Sequence, residues 1–267
     1  MSLWVQETGK TWAQRWSNIG AGGFKLSTLP TMIPVVRSRD HRFDVTTAMN
    51  HTKANTMKET IILDHPLVDC HLTTLRDKTT KPPEFRQSVR RLSMLLAFAA
   101  TSDLRTADTP IKTPIQETTG SRLIHRIGLV PILRAGIPMV EPMLDLIPGS
   151  EVWHLGFYRD EQTAKPVHYY SKLPESSPVD VAFILDPMLA TGGSAALACQ
   201  CMKDWGVESI KMLSIIAATE GIEKLKSEFP DIEIHTCVVD ERLNEDRFIV
   251  PGLGDAGDRI FNTTGQA

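Results

Sequence analysis

The segment 181–194 constrains the fold more than any other part of the sequence. It reads VAFILDPMLATGGS: five apolar residues without alternation, an acid, and then small and hydroxyl residues. Such a run predicts a strand that is covered on both faces, as in a parallel sheet. Helix-forming residues follow at 195–198, with Ser194 as a candidate N-cap and Gly206 as a stop. The segment therefore predicts a strand, a tight turn and a helix.

The turn between this strand and this helix has the chemistry of an anion site. Thr191 to Ser194 can direct backbone N–H groups and two hydroxyls at one point, where the helix dipole adds positive charge. Open α/β sheets bind ligands at the carboxyl ends of their strands. Asp186 would repel a phosphate but suits ribose hydroxyls. The turn thus predicts a ribose 5-phosphate site, the alternative being a tight turn before a capped helix.

Strands and helices alternate along the chain from residue 57. Predicted strands are RIGLVPIL (126–133), EVWHLGFY (151–158), IKMLSIIAAT (210–219) and IEIHTCVV (232–239), and predicted helices are FRQSVRRLSMLLAFAA (85–100), IPMVEPMLDLI (137–147) and GIEKLKSEF (221–229). PVHYYSKL (166–173) alternates and predicts an exposed hairpin strand. This order predicts an α/β fold with a mostly parallel central sheet, helices on both faces and a projecting β-hairpin arm.

Several motifs resemble those of the type I phosphoribosyltransferases, and most of all those of the uracil phosphoribosyltransferases. They are HPLV (65–68), LRD (75–77), PILRAG (131–136), GFYRDEQT (156–163), LDPMLATGGS (185–194) and LNEDRFIVPGLGDAGDRIF (243–261). The resemblance covers residues 60 to 262. Many type I enzymes have two adjacent acids in the signature loop, whereas this chain has Leu185 before Asp186. The resemblance implies transfer of a phosphoribosyl group from phosphoribosyl diphosphate to uracil, giving UMP and diphosphate.

The resemblance also implies which residues bind phosphoribosyl diphosphate. They are Arg134, Arg159, Asp186, Pro187, Met188, Leu189, Ala190, Thr191, Gly192, Gly193, Ser194 and Asp255. Arg134 and Arg159 follow predicted strands and would grip the diphosphate leaving group with their guanidinium N–H groups. The alternative for either arginine is a surface salt bridge. These two arginines, together with Asp186 on the ribose hydroxyls, are the predicted catalytic residues.

By the same resemblance, backbone groups of Ile249 and of the turn Gly254–Asp255–Ala256 hold uracil. The sequence GLGDAG (252–257) matches a dinucleotide-binding pattern, but the ten residues after it are too few for that fold. Glycines here would let the backbone approach the donors and acceptors on the edge of uracil. Phe248 stands where the family often has tyrosine. The alternative is a glycine-rich turn without a ligand.

The resemblance implies Mg²⁺ as cofactor, held mainly by substrate oxygens and water, so no metal-binding side chains are predicted. It further implies a homo-oligomer and suggests GTP as an effector. The net charge of −3 indicates neither nucleic acid nor an anionic membrane as partner. No apolar run reaches the roughly 18 residues of a membrane span. Four cysteines without metal-ligand spacing indicate reduced thiols and a cytoplasmic protein.

Residues 1–56 differ from the predicted catalytic domain, 57–267. They contain seven Lys/Arg against three Asp/Glu and lack a periodic apolar pattern. This composition fits a transit peptide, which would make the location organellar. It fits equally a disordered leader, or a start codon placed upstream of the true start at Met57.

Two alternative functions are compatible with the signature loop. One is a phosphoribosyltransferase for another base, or a pyrimidine-operon regulator that retains the loop. The other is a nucleotide-binding module without catalysis. A regulator would need a basic face for RNA, which the slightly acidic composition does not favour.

Overall fold

The structure, a computed structural model, describes residues 58–159, 166–171 and 173–263. For residues 158–159, 166–169 and 171 it describes the backbone alone. The predicted N-terminal extension, residues 1–56, lies outside the described residues, so its assignment stays a prediction.

Within the described residues, the strands are β1 (Thr60–Ile62), β2 (Thr106–Lys112), β3 (Glu117–Leu123), β4 (Ile127–Leu133), β5 (Glu151–Val152), β6 (Leu155–Arg159), β7 (Pro166–Ser171), β8 (Val181–Leu185), β9 (Met188–Leu189), β10 (Ser209–Ala218), β11 (Glu233–Asp240), β12 (Arg242–Leu243) and β13 (Ile249–Val250). Nine of them form one central sheet in the order β1-β11-β10-β8-β4-β6-β7, with β5 paired to β4 and β9 to β10. Every pairing in this sheet is parallel except that of β6 with β7. The predicted mostly parallel sheet is confirmed.

Helices cover both faces of this sheet, as predicted. They are α1 (Pro66–Arg76), α2 (Pro82–Ala100), α3 (Ile137–Leu146), α4 (Gly193–Trp205), α5 (Thr219–Glu228) and α6 (Ala256–Phe261). Leu129 and Phe183 belong to a core with α1, α2, α3 and α6. Their strand neighbours Val130 and Ile184 belong to a second core with α4 and α5. Because both faces are buried, these strands are apolar throughout.

The start of α4 differs from the sequence-based expectation. Gly192, not Ser194, occupies the N-cap position, in the left-handed conformation at φ 74°, and the helix begins at Gly193. Met188 and Leu189, expected to be turn residues, form the short strand β9 beside β10. Gly206 ends the helix at φ 98°, as predicted. The turn is therefore more tightly tied to the sheet than a capped loop would be.

The segment EVWHLGFY, predicted as one strand, forms two. Strand β5 pairs with Gly128–Leu129 and strand β6 with Ile132–Leu133 of the same neighbour, β4. Between them, the Trp153 ring packs edge-on against Trp205 of α4, with ring centroids 5.5 Å apart. The packing of Trp153 on α4 thus coincides with the break in the strand pairing between this segment and β4.

Among the described residues, three hairpins are present where the sequence predicted one, and the short pair β12–β13 is one of the two that were not predicted. The segment PVHYYSKL contributes β7, which pairs antiparallel with β6 at the edge of the central sheet. The second hairpin, β2–β3, forms a two-stranded sheet of its own and was not predicted. Among the described residues, no helix is long and apolar enough to cross a membrane. All four cysteines are free.

Candidate active site

A cleft of about 280 Å³ opens at the carboxyl ends of β4 and β8. It brings together Arg134, Asp186, the turn 188–194 and Asp255, which the sequence predicted from separate segments. Six further residues line it without having been predicted: Ile132, Leu133, Ala135, Phe157, Ala195 and Gly257. The position at the carboxyl edge of a parallel sheet is the one expected for a ligand site.

Asp186 is the half-buried acid at the end of β8. Its Oδ1 accepts a hydrogen bond from the Met188 N–H at 3.2 Å. Burial, opposed by the Met188 hydrogen bond and aided by the negative charge of Asp255, raises the pKa of this carboxyl to about 7. Near neutral pH the group is therefore close to half protonated, so a ligand with hydroxyl donors would favour its ionised form.

The turn 188–194 rests on the start of α5. A Cβ atom on Gly192 would lie 2.8 Å from the Gly221 carbonyl oxygen, and one on Gly221 would lie 2.4 Å from the Ala190 carbonyl oxygen. Both positions therefore require glycine, because two backbones are in direct contact. Gly221 was missed by sequence reasoning, since a glycine near a helix start gives no sign of a contact thirty residues away.

Arg134 follows β4, at the mouth of the cleft, after a cis Leu133–Arg134 peptide. Its side chain is 60% exposed, with Nη2 3.7 Å from Asp258 Oδ1 and the guanidinium 5.8 Å from the Phe261 ring centre. An exposed, long ion pair contributes little stability. The guanidinium can therefore turn to an anionic ligand at small cost.

Arg159 is the last residue of β6, and its side chain lies outside the described part of the structure. Phe157, two residues earlier on the same strand, lines the cleft. The strand thus reaches the site, while the role of the arginine itself stays a prediction.

The segment 249–256 lies next to the cleft through Asp255. Ile249 pairs with Leu243 in the small β12–β13 sheet and is 6% exposed. Ala256 is fully buried at the start of α6, whereas Gly254 and Asp255 are exposed. The Asp255 carboxylate caps α6 by accepting from the Asp258 N–H at 2.9 Å. With their side chains in the core, Ile249 and Ala256 have only backbone groups to offer a ligand.

Besides Arg159, whose side chain is not described, four predicted binding residues are not among those that line the cleft: Pro187, Ile249, Gly254 and Ala256. Pro187 is buried, and its carbonyl oxygen accepts from Ile215 and Ile216 of β10 at 3.1 and 3.0 Å. It anchors the turn to the sheet, a role that the sequence pattern did not suggest.

The doubly covered parallel sheet, with an acid and a small-residue turn at its carboxyl edge, defines the type I phosphoribosyltransferase class of fold. A solved structure, that of the AQ2163 protein from Aquifex aeolicus, superposes with a TM-score of 0.72 at 36% identity. The match covers 76% of this chain and 98% of that one.

Sequence comparison narrows this class to one family. A profile described as "Uracil phosphoribosyltransferase" matches residues 62–263. The uracil phosphoribosyltransferase of Roseiflexus sp. (strain RS-1) is 53% identical over 207 residues, which are 78% of this chain and all of that protein. That of Dictyoglomus turgidum is 48% identical over 204 residues, 76% of this chain and 99% of that protein. The chain belongs to the uracil phosphoribosyltransferase family.

Proposed function

We propose that the chain transfers the 5-phosphoribosyl group of phosphoribosyl diphosphate to uracil in the cleft at the carboxyl ends of β4 and β8. N1 of uracil bonds to C1 of the ribose as the C1–oxygen bond to diphosphate breaks, and the N1 proton is released. The products are UMP and diphosphate. The observation that carries the proposal is the meeting of Arg134, Asp186 and the turn 188–194 in one cleft of a chain from this family.

Different residues of the cleft bind different parts of phosphoribosyl diphosphate. The turn 191–194 at the start of α4 binds the 5-phosphate, because a helix N-terminus offers N–H donors and positive potential. Asp186 accepts hydrogen bonds from the ribose hydroxyls. Arg134 and Arg159 bind the diphosphate, which gains charge as it leaves. Positive charge develops on the ribose at the same time, so the site acts mainly by positioning and electrostatic stabilisation.

Mg²⁺ fits this site as an ion that arrives with the diphosphate. Among the described residues, no group of three or more His, Cys, Asp or Glu side chains could hold a metal ion. Asp186 and Asp255 do line the same cleft, and carboxylate oxygens are ligands that Mg²⁺ accepts beside water and phosphate. Asp255, the exposed one of the two, would contact the ion or its water shell. When bound, Mg²⁺ neutralises charge on the leaving diphosphate.

Diphosphate release measured with a panel of bases tests the function. We expect turnover with uracil and little with adenine, hypoxanthine, guanine or cytosine. Faster turnover with another base would favour a different phosphoribosyltransferase. Binding of phosphoribosyl diphosphate without release from any base would identify a nucleotide-binding module.

Arg134→Ala is expected to raise the KM for phosphoribosyl diphosphate by about ten- to a hundredfold, the loss of one or two hydrogen bonds to a charged group. The affinity for UMP should change much less, because UMP lacks the diphosphate. Arg159→Ala should behave in the same way. Arg126→Ala, just before the amino end of β4 and away from the cleft, serves as control and should alter neither value. Equal losses for both ligands would contradict the assignment to the leaving group.

A chain that begins at Met57 is expected to fold and turn over like the full chain. The relatives support this, since 207 residues of this chain align with the whole Roseiflexus protein. Melting temperature and kcat/KM of the two proteins check it. A large fall in either would show that residues 1–56 pack on the catalytic domain.

The proposal extends to assembly, regulation and location. Large apolar side chains are exposed on α2 (Phe98, 78%) and between β2 and β3 (Ile115, 90%), which supports a homo-oligomer. The mass of the protein in solution tests this assembly.

GTP is proposed as an effector on the family resemblance. Activity measured with and without GTP tests this point. The four free thiols support a cytoplasmic location, or an organellar one if residues 1–56 are a transit peptide.

A further inference from the structure

An ion pair fixes the position of the segment 249–256, which we propose binds uracil. Arg76 ends α1 and Asp240 ends β11. Arg76 Nη2 donates to Asp240 Oδ1 at 2.6 Å, and Arg76 Nη1 donates to Asp240 Oδ2 at 2.9 Å. The side chains are 25% and 4% exposed. A bidentate pair of this kind fixes the orientation of both groups as well as their separation.

This pair binds both backbone groups of Gly252. The Gly252 N–H donates to Asp240 Oδ2 at 3.0 Å, and the Gly252 carbonyl oxygen accepts from Arg76 Nη1 at 2.9 Å. The guanidinium, the carboxylate and the peptide groups thus form a closed ring of hydrogen bonds. A displacement of Gly252 would break bonds to both charged groups at once.

Gly252 in turn fixes the position of Ile249. It has φ 61°, and a Cβ atom there would lie 2.0 Å from the Ile249 carbonyl oxygen. The turn from 249 to 252 is therefore closed backbone against backbone. On the other side, the Leu253 carbonyl accepts from Arg259 Nη1 at 2.8 Å, and Arg259 Nη2 donates to the Asp77 carbonyl at 2.6 Å. Residues 252 and 253 are thus tied to the end of α1.

We propose that Arg76 and Asp240 are positioning residues for base recognition: they set the backbone of residues 249–256 without contacting the substrate. This inference rests on the proposed role of that segment in binding uracil. Stability alone gives no reason for such a pair, because buried ion pairs are often replaceable by apolar residues. The ring of bonds around Gly252 instead specifies one orientation of the turn. Asp255, the residue of this segment proposed to bind phosphoribosyl diphosphate, is held separately by its hydrogen bond from the Asp258 N–H. The pair should therefore act on uracil far more than on phosphoribosyl diphosphate.

Arg76→Lys and Asp240→Asn test the proposal independently. Lysine keeps the charge but cannot bond two carboxylate oxygens and the Gly252 carbonyl from one planar group. Asparagine keeps the shape of Asp240 but replaces one acceptor oxygen by a donor. In each variant we expect the KM for uracil to rise by about tenfold or more, the loss of at least one charged hydrogen bond. The KM for phosphoribosyl diphosphate should stay within about threefold, below 1 kcal/mol.

Arg126→Lys is the matched control. Arg126 Nε and Nη2 donate to Glu151 Oε1 at 3.1 and 2.8 Å, and Nη1 donates to the Ser177 and Pro178 carbonyls. This arginine thus also joins a carboxylate to backbone carbonyls, but it precedes the amino end of β4, whereas the cleft lies at the carboxyl end. Its replacement should lower the melting temperature without changing the KM for uracil. The comparison separates positioning from general destabilisation.

The outcomes are distinct. A rise in both KM values together, or an unchanged KM for uracil in folded variants, would overturn the proposal. Failure of both variants to fold would also overturn it, because the pair would then be structural. A second substitution, Gly254→Phe, adds bulk to the turn that is proposed to hold uracil. If Gly254→Phe abolishes uracil transfer while Arg76→Lys leaves the KM for uracil unchanged, the proposed base site stands and the positioning role is overturned. If neither substitution affects uracil, the base binds elsewhere and both ideas fall.

Discussion

Asp186→Asn is expected to remove most turnover while making the folded protein more stable at pH 8. An amide accepts hydrogen bonds from ribose hydroxyls less strongly than a carboxylate does. A hydrogen bond to a charged group contributes about 1.5–3 kcal/mol, against about 0.5–1.5 for a neutral one. Loss of the charged acceptor by two ribose hydroxyls therefore corresponds to roughly ten- to a hundredfold in kcat/KM. The Met188 N–H can still donate to the amide oxygen, so the turn should keep its shape.

The gain in stability follows from the raised pKa. Burial, aided by Asp255, raises the pKa of Asp186 from 3.8 to about 7 in the folded protein. Between these values the folded state holds the proton more tightly than the unfolded chain does. The stability associated with that proton is complete below pH 4 and is lost as the pH rises to 7. Asparagine carries no charge, so it avoids a cost of about 4 kcal/mol at most, three units at about 1.4 each.

Melting temperatures across pH measure this effect. The advantage of Asp186→Asn over wild type should grow from pH 4 to pH 7 and then level off. Asp103→Asn is a control of opposite sign: although burial raises the pKa of Asp103, the hydrogen bond and charge of Lys211 lower it overall. That variant should lose stability at neutral pH. Near-normal kcat/KM in Asp186→Asn, or a pH-independent stability difference, would contradict the role given to this acid.

The central fold was predictable because its signal is local. Strand β8 and the turn after it are contiguous. Burial of both faces leaves an unalternated apolar run, and its short length before a turn distinguishes it from a buried helix. Hairpin β2–β3 was missed because its mostly polar residues are exposed, so no apolar face marks it. The prediction of Ser194 as N-cap was wrong because Gly192 adopts a left-handed conformation against Gly221, a contact that only the tertiary structure creates.

The candidate site was predictable where its residues are close in sequence. Asp186 and the turn 191–194 are adjacent in sequence, and their chemistry can be inferred without a structure. The bond between Arg76 and Asp240 joins residues 164 positions apart, and no spacing rule indicates it. The motif LRD (75–77) was the only sequence signal for Arg76, and it indicated the family without indicating what the arginine does. The raised pKa of Asp186 was equally inaccessible, because it depends on burial by residues from several elements.

Discrimination between uracil and cytosine is expected to be the largest effect of all, about 10⁴–10⁵ in kcat/KM. Uracil presents an N3–H donor between two carbonyl acceptors, whereas cytosine presents an N3 acceptor beside an amine donor. Backbone N–H and C=O groups cannot exchange donor and acceptor roles. The side chains of Ile249 and Ala256 are buried in the core, so they cannot supply the donor and acceptor that cytosine would need. Cytosine would therefore leave polar groups unpaired at two adjacent positions.

A pair of substitutions at Gly254 tests whether this segment holds the base. Ala256 is unsuitable because its side chain is fully buried, so a larger residue there would disturb the core. Gly254 is exposed, and the nearest atom to a Cβ there is Arg259 Cδ at 3.8 Å. Gly254 has φ 77°, so alanine and phenylalanine carry the same backbone strain, about 1–2 kcal/mol. The two variants therefore differ in bulk alone.

We expect Gly254→Ala to use uracil and Gly254→Phe to lose it, while both bind phosphoribosyl diphosphate as wild type does. The turn 191–194 follows another strand, and the Asp255 carboxylate is held by the Asp258 N–H, so binding of phosphoribosyl diphosphate should not respond to bulk at position 254. UMP formation with uracil and with cytosine, together with equilibrium binding of phosphoribosyl diphosphate, measures both claims. Comparable turnover of the two bases by wild type would show that backbone groups do not read the base. Unimpaired uracil transfer by Gly254→Phe would show that the base lies away from this turn.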